Sequence, residues 1–306
     1  MKNAADLDIR GVITALVTPF DDRGRVDEEA LQRLVEFQIR AGVHGLNPCG
    51  TTGEGALLTL EERQQVAEIT VRAARGRVPV MVQTGTPSTE ATIALTRHAQ
   101  TIGADAATIV SPFYYRLGDE ALVQHYAQIA ASVPGFPLFL YNIPQLTGNN
   151  LTPAIVEAIA ERCPNVIGLK DSSGNLSQVI DSASVRGGHF KVAVGSDGLI
   201  LPALVTGIPA SISGNANAVP ELFVELFQAY WRGDWAGAQS AQARIQHVRR
   251  ILKDGGDLSL FKAVLERRGL RVGGVRPPLI NAPKEVVDSC ITRLASRGIK
   301  LARIQI

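Results

Sequence analysis

Cysteine is scarce in this chain. Cys49, Cys163 and Cys290 are odd in number, far apart and never in CxxC spacing. That argues against a disulfide frame or a zinc site and fits a reducing cytoplasm. Cys49, beside Gly50, reads as a small buried filler ahead of a nucleophile. The five histidines show no metal-ligand spacing, so neither a metal nor a cofactor is expected. Net charge is only +2 and the basic residues are scattered, which removes the usual ground for nucleic acid or acidic membranes as partners. Arg249-Arg250 and Arg267-Arg268 read as solvated helix faces. No run reaches the ~18 apolar residues of a membrane span. Met1-Lys2-Asn3-Ala4-Ala5-Asp6 has no apolar core of a signal peptide. Also missing is a GxGxxG after the first strand, which counts against a dinucleotide fold.

What is present is ordinary globular composition, 45% hydrophobic and 20% charged over 306 residues, arranged in a regular alternation. Apolar, β-branched runs at 11–20, 44–49, 78–83, 106–110, 137–141, 166–170, 191–194 and 210–213 read as eight strands. Helical patterns follow them, opened by Asp27, at 60–74, by Ser88, at 119–132 and by Thr152 with Pro153 at the first helical position. Such alternation implies parallel pairing through crossover helices. Eight units in about 220 residues point to a closed (β/α)8 TIM barrel over an open sheet. The barrel is expected over 1–220. Residues 221–306 read as a C-terminal helical layer, with helices at 221–231, 235–252, 258–268 and 284–295, used in self-association.

In a closed parallel barrel the C-terminal strand ends share one rim, and that rim carries the chemistry. The ends here are Thr18, Thr51-Thr52, Thr84, Tyr114-Tyr115, Tyr141, Lys170, Gly195-Ser196-Asp197 and Ser213-Gly214-Asn215. Lys170 closes an apolar strand and stands next to the end of the Tyr141 strand. Lysine is rarely buried without a partner, and Asp171 points to the opposite face by strand alternation. An amine ringed by hydroxyls and lacking an acid suits Schiff-base formation with a carbonyl, followed by bond cleavage to an enamine. Tyr141 is placed to move the proton, with a hydroxyl from strand two or four relaying it. Gly50-Thr51-Thr52-Gly53-Glu54 reads as a turn whose backbone N–H groups and hydroxyls would hold a carboxylate. Together these point to a 2-oxo acid.

At these residues the chain resembles the dihydrodipicolinate synthase / N-acetylneuraminate lyase family of lysine-dependent aldolases. The shared motifs are GTTGE (50–54), SPFYY (111–115), YNIPxxTG (141–148), GLKDSSG (168–174) and GSD (195–197). The resemblance implies a (β/α)8 barrel with C-terminal helices, a homotetramer built as a dimer of dimers, and pyruvate as the 2-oxo acid. Lys170 would be the Schiff-base lysine, Tyr141 the proton-transfer tyrosine and Thr51 the relay. Tyr114 matches the tyrosine that reaches into a neighbour's site. Substrate contacts are expected from Thr52, Gly50, Ser172, Gly195, Ser196 and Ile212.

One departure separates the possible reactions. Dihydrodipicolinate synthases usually carry arginine before the Thr-Gly of the 141–148 motif, where this chain has Leu146. The chain therefore reads as nearer the aldolases of 2-keto-3-deoxy sugar acids, cleaving such an acid reversibly to pyruvate and an aldehyde. Dehydration of a keto-deoxy sugar acid is one alternative. Condensation of pyruvate with aspartate semialdehyde to 4-hydroxy-tetrahydrodipicolinate is another. A non-catalytic sugar-acid sensor would be a different class, and the presence of both Lys170 and Tyr141 speaks against it.

Overall fold

The structure is a computed structural model and describes residues 7–305; the N-terminal hexapeptide read above for a signal core lies outside the described residues. In chain order the elements are β1 (Gly11–Ala15), α1 (Glu28–Arg40), β2 (Gly45–Asn47), α2 (Leu60–Ala74), β3 (Met81–Gln83), α3 (Thr89–Thr101) and β4 (Ala106–Val110). They continue with α4 (Asp119–Ser132), β5 (Leu138–Asn142), α5 (Pro144–Thr147), α6 (Pro153–Arg162), β6 (Val166–Asp171), α7 (Leu176–Ala183) and β7 (Lys191–Val194). The chain ends in α8 (Ile200–Val205), β8 (Ala210–Ser213), α9 (Pro220–Trp231), α10 (Trp235–Ile251), α11 (Leu258–Arg267) and α12 (Lys284–Ser296). Eight strands belong to one sheet, and the fold is the expected (β/α)8 barrel with C-terminal helices. No helix among the described residues is long and apolar enough to cross a membrane.

The chain divides into two compact units, one of residues 7–10 and 79–212, the other of residues 11–78 and 213–305. In the first, β3 to β8 pair in sequence order, all parallel. Their strands are buried almost throughout, as expected of parallel strands covered on both faces. Helix starts follow local chemistry. The Ser88 hydroxyl accepts from Ala91 N, and Thr152 caps α6 with Pro153 beside it, each satisfying a donor that the helix itself leaves unpaired.

The second unit pairs β1 with β2 and contains the four C-terminal helices. Asp27 caps α1 by accepting from Ala30 N at 2.9 Å. Thr59 and Glu62 form a reciprocal capping box on α2. Asn217 stitches the chain leaving β8 to the exit of β1. Its Oδ1 accepts from Val17 N at 3.0 Å and its Nδ2 donates to Ala15 O at 2.7 Å.

Two details correct the sequence reading. β1 stops at Ala15, short of the expected 20. Phe20 instead forms an antiparallel bridge with Val26 and donates its N–H to Val272 O. Arg268 is not solvated but 2% exposed, with its guanidinium on the Glu221 carboxylate and the carbonyls of Ala218 and Ala302. It also stacks over Phe37 at 4.7 Å. Burial of a guanidinium is tolerated because its donors are satisfied.

Candidate active site

The pairing of β5 with β6 decides what surrounds Lys170. Tyr141 lies opposite Lys170, and Lys170 lies opposite Ala193 of β7. In-register neighbours of parallel strands share a face, so the lysine stands between a large aromatic and a small side chain. It is 4% exposed, and Nζ sits 4.1 Å from the centre of the Tyr141 ring. Among the described residues no carboxylate pairs with it. Two pairs below, on the same face, Phe139 is opposite Gly168. A Cβ at position 168 would fall 2.3 Å from the Phe139 ring and 2.2 Å from Lys191 O; only glycine fits beneath the lysine.

The next pair up, Asn142 and Asp171, faces the helices. Asp171 is fully buried, and its carboxylate accepts from Ser173 N at 2.7 Å, Ser173 Oγ at 2.5 Å, Asn142 Nδ2 at 2.9 Å and Gln178 Nε2 at 2.9 Å. Asn142 Nδ2 also reaches Asn150 Oδ1, and its Oδ1 accepts from Leu151 N. The acid next to the lysine is thus saturated by neutral donors on the other side of the sheet, as alternation required.

The remaining expected residues of this unit fall as follows. Ser172, 8% exposed, turns against Gly195, where an added Cβ would lie 1.9 Å from its Oγ. Gly195 N donates to Asp171 O at 2.6 Å, so the loops after β6 and β7 are tied together. Ser196 is half-buried at the same place, and Ile212 is 1% exposed within β8. Tyr114 is 85% exposed and takes φ of 80°, with its ring edge-on to Tyr115. Left-handed backbone at a bulky residue is costly and often marks function. Thr84 departs from the rim expectation: its hydroxyl bonds Thr96 of α3 at 2.8 Å, away from the lysine face.

In the other unit, Gly50, Thr51 and Thr52 lead out of the β2 strand, Thr51 exposed and Thr52 half-buried. The nest expected of this turn is only partly available. Gly53 N and Gly55 N donate to Gly50 O, and Glu54 N donates to Thr51 O, so three of its N–H groups are used within the turn. Thr18 Oγ1 adds a bond to Gly53 O at 2.6 Å. Cys49 and Glu54, which bracket the turn, both take left-handed backbone at φ of 63° and 57°. Cys49 is fully buried, which pushes its thiol up to about 11, and this removes it as a nucleophile.

The sequence reading passed over the groups that hold this turn. The Glu54 carboxylate lies 2.6 Å from Lys262 Nζ of α11 and accepts from Arg276 N at 2.7 Å. Burial lowers the Lys262 ammonium's affinity for its proton, and Glu54 opposes that shift. A signal was available: Leu258, Lys262 and Leu265 fall on one helical row, so a lysine occupies an apolar stripe.

A buried amine at the exit of a (β/α)8 strand, with a tyrosine against it and, among the described residues, no acid paired to it, is the equipment of a Schiff-base lyase. Residues 8–295 match the dihydrodipicolinate synthetase family. The chain is 40% identical over 291 residues to a 4-hydroxy-tetrahydrodipicolinate synthase of Rhizobium meliloti, covering 95% of this chain and 99% of that one. Over 246 residues it is 42% identical to the synthase of Nitratidesulfovibrio vulgaris, covering 80% and 84%. Among solved structures it is similar to YagE, a prophage protein of the dihydrodipicolinic acid synthase family from E. coli K12 in complex with pyruvate. The TM-score is 0.91 at 31% identity, covering 95% and 99%. Dihydrodipicolinate synthase from Aquifex aeolicus gives 0.90 at 31%, with the same coverage. The chain belongs to the dihydrodipicolinate synthetase family and is an enzyme of its Schiff-base lyase type. The expected nearness to sugar-acid aldolases finds no support in these relatives, whose names favour the synthase.

Proposed function

We propose that this enzyme forms a Schiff base between Lys170 and pyruvate and condenses the enamine with aspartate semialdehyde, giving 4-hydroxy-tetrahydrodipicolinate. The observation that carries the first half is the buried Lys170 amine over the Tyr141 ring. The names of relatives at 40–42% identity support the second. In this reading the neutral amine adds to the pyruvate ketone and water leaves. The imine takes up the electron pair of a C3–H bond, and the enamine carbon attacks the aldehyde. The acceptor's own amine then displaces the lysine and closes the ring. Tyr141 moves the protons, Thr51 relays them, and Thr52 with Gly50 holds the pyruvyl carboxylate. Ser172, Gly195, Ser196 and Ile212 contact the substrate. Borohydride reduction with pyruvate followed by mass spectrometry should place one adduct on Lys170; its absence there removes the mechanism.

One observation favours a second reading, reversible cleavage of a 2-keto-3-deoxy sugar acid. Leu146, 61% exposed on α5, cannot give the bidentate contact that an arginine gives a carboxylate-bearing acceptor. Product formation from pyruvate with aspartate semialdehyde, compared with pyruvate release from keto-deoxy sugar acids, separates the two. A homotetramer built as a dimer of dimers belongs to the proposal, with Tyr114 entering the site of a second copy; its left-handed backbone and exposure support this. Sedimentation of the wild type and kinetics of Tyr114→Phe test it.

A further inference from the structure

The C-terminal helices have so far only a structural place, and Glu54, the last residue of the GTTGE motif, has no chemical role. The two questions meet in one buried contact. Glu54 and Lys262 have side-chain exposures of 0% and 2% and lie 2.6 Å apart. Lys262 also donates to Gly274 O at 2.7 Å and sits over the Phe20 ring at 4.2 Å. The other Glu54 oxygen takes the Arg276 N–H at 2.7 Å, while the Arg276 guanidinium covers Phe20 at 4.5 Å and makes a bidentate pair with Glu62. The carboxylate is therefore gripped from two sides and cannot swing.

What is gripped determines the turn. Glu54 holds left-handed backbone, and its N–H closes back on Thr51 O while Gly53 N closes on Gly50 O. No hinge is left between the ion pair and the two threonines. A second contact comes from the same helix. Phe261, one residue before Lys262, lies against Gly214. A Cβ on Gly214 would meet Phe261 at 3.4 Å and Thr52 Oγ1 at 2.7 Å. Thus α11 holds the turn at its end through Lys262 and also packs on Gly214, which Thr52 borders. An apolar pair of similar volume would fill the space without cost to stability; direction is what an ion pair adds.

We propose that α11 is the buttress of the substrate-carboxylate turn, with Lys262 as its positioning residue acting on Thr51 and Thr52 through Glu54. The inference rests on the Schiff-base reading for what those threonines bind. Its test uses full-length Lys262→Met, Glu54→Gln and the double variant. Three quantities are read: thermal midpoint, amide hydrogen exchange at residues 53–55, and the pyruvate concentration that half-saturates borohydride trapping on Lys170. Lys262→Met should exchange those amides faster and raise half-saturation at least about tenfold, with a smaller effect on the trapping rate at saturation. In the double variant no buried charge is left unpaired, so the thermal midpoint should recover while half-saturation stays high. Recovery of half-saturation along with stability would overturn the positioning role. Unchanged exchange in Lys262→Met would overturn the clamp itself. Should Lys262→Met fail to fold, exchange and half-saturation in the double variant decide both points. Failure of the wild type to form any adduct would instead overturn the Schiff-base reading, with the exchange arm still deciding whether α11 holds the turn.

Discussion

Leu146→Arg tests how the acceptor is chosen. Leu146 lies on α5, whose turn is fixed by main-chain bonds from Leu146 N and Thr147 N to Ile143 O and from Gly148 N to Pro144 O. With the side chain 61% exposed, an arginine there displaces no core contact and asks nothing of the backbone. A charge-assisted, bidentate contact with a carboxylate is worth roughly 1.5–3 kcal/mol. At 1.4 kcal/mol per decade, that corresponds to roughly tenfold to a hundredfold in kcat/KM. Partial exposure places the expected gain near the lower end, about tenfold. The assay is condensation with saturating pyruvate, using aspartate semialdehyde and, in parallel, an uncharged aldehyde of similar length. The gain should be confined to the acceptor that carries a carboxylate. An equal gain for both aldehydes, or none for either, refutes the reasoning that position 146 faces that carboxylate.

Tyr141→Phe keeps the ring over the Lys170 amine and removes the hydroxyl. Adduct formation with pyruvate should persist while kcat falls about 10²–10⁴-fold; retention of more than about a tenth of kcat would remove the tyrosine from proton transfer. Gly168→Ala forces a methyl against Lys191 O and the Phe139 ring. It should destabilise by roughly 1–3 kcal/mol and lower trapping on Lys170; a thermal melt superimposing on the wild type would contradict the close approach. His125 is 5% exposed, with Nδ1 on Thr89 Oγ1 at 2.8 Å, and burial pulls it down to about 4 from an ordinary 6.5. Between those values the unfolded chain holds a proton that the native state refuses. Stability should therefore fall as pH drops from about 6.5 to 4, by up to about 3 kcal/mol. His125→Gln should flatten that slope in urea titrations at pH 7.5 and 5; parallel slopes would exclude the histidine.

The parts of the fold readable from the chain are those fixed by neighbours in sequence. Asp27, Ser88 and Thr152-Pro153 mark helix starts because a cap is a contact across three residues. The lysine strand was readable too, since an apolar run ending in Lys170 and a glycine turn needs no distant partner. Two short helices were not located: α7 has only eight residues, although Asn175 caps it by accepting from Gln178 N, and α8 has six and no side-chain cap. The buried ions were misread or missed. Arg268 finds its partners at Glu221 and Ala302, and Glu54 finds its own at Lys262 and Arg276. Nothing local distinguishes a cation bound for a buried carboxylate from one bound for water. The Thr84 error has the same origin: alternation gives two faces, and only the packing of α3 says which one takes the hydroxyl.

The placement of Lys170 beside Tyr141 depends on an irregularity in the sheet. Leu138 pairs with Val166, but Phe139 pairs with Gly168, so Ile167 has no counterpart on β5. Without that extra residue the register would run one step lower, with Tyr141 beside Leu169 and Lys170 beside Asn142 on the helix side. A single-residue slip exchanges the two faces of a strand, and a bulge is the usual means of re-aiming a side chain near a site. Here it sends the amine to the face of Tyr141 and Ala193, and the Asp171 carboxylate to the face of Asn142 and Gln178. Strand alternation keeps these two neighbouring side chains on opposite faces; the bulge decides which face each one takes. Four neutral donors hold the Asp171 carboxyl group, and Lys170 stands against the Tyr141 ring, where the proposed Schiff base would form.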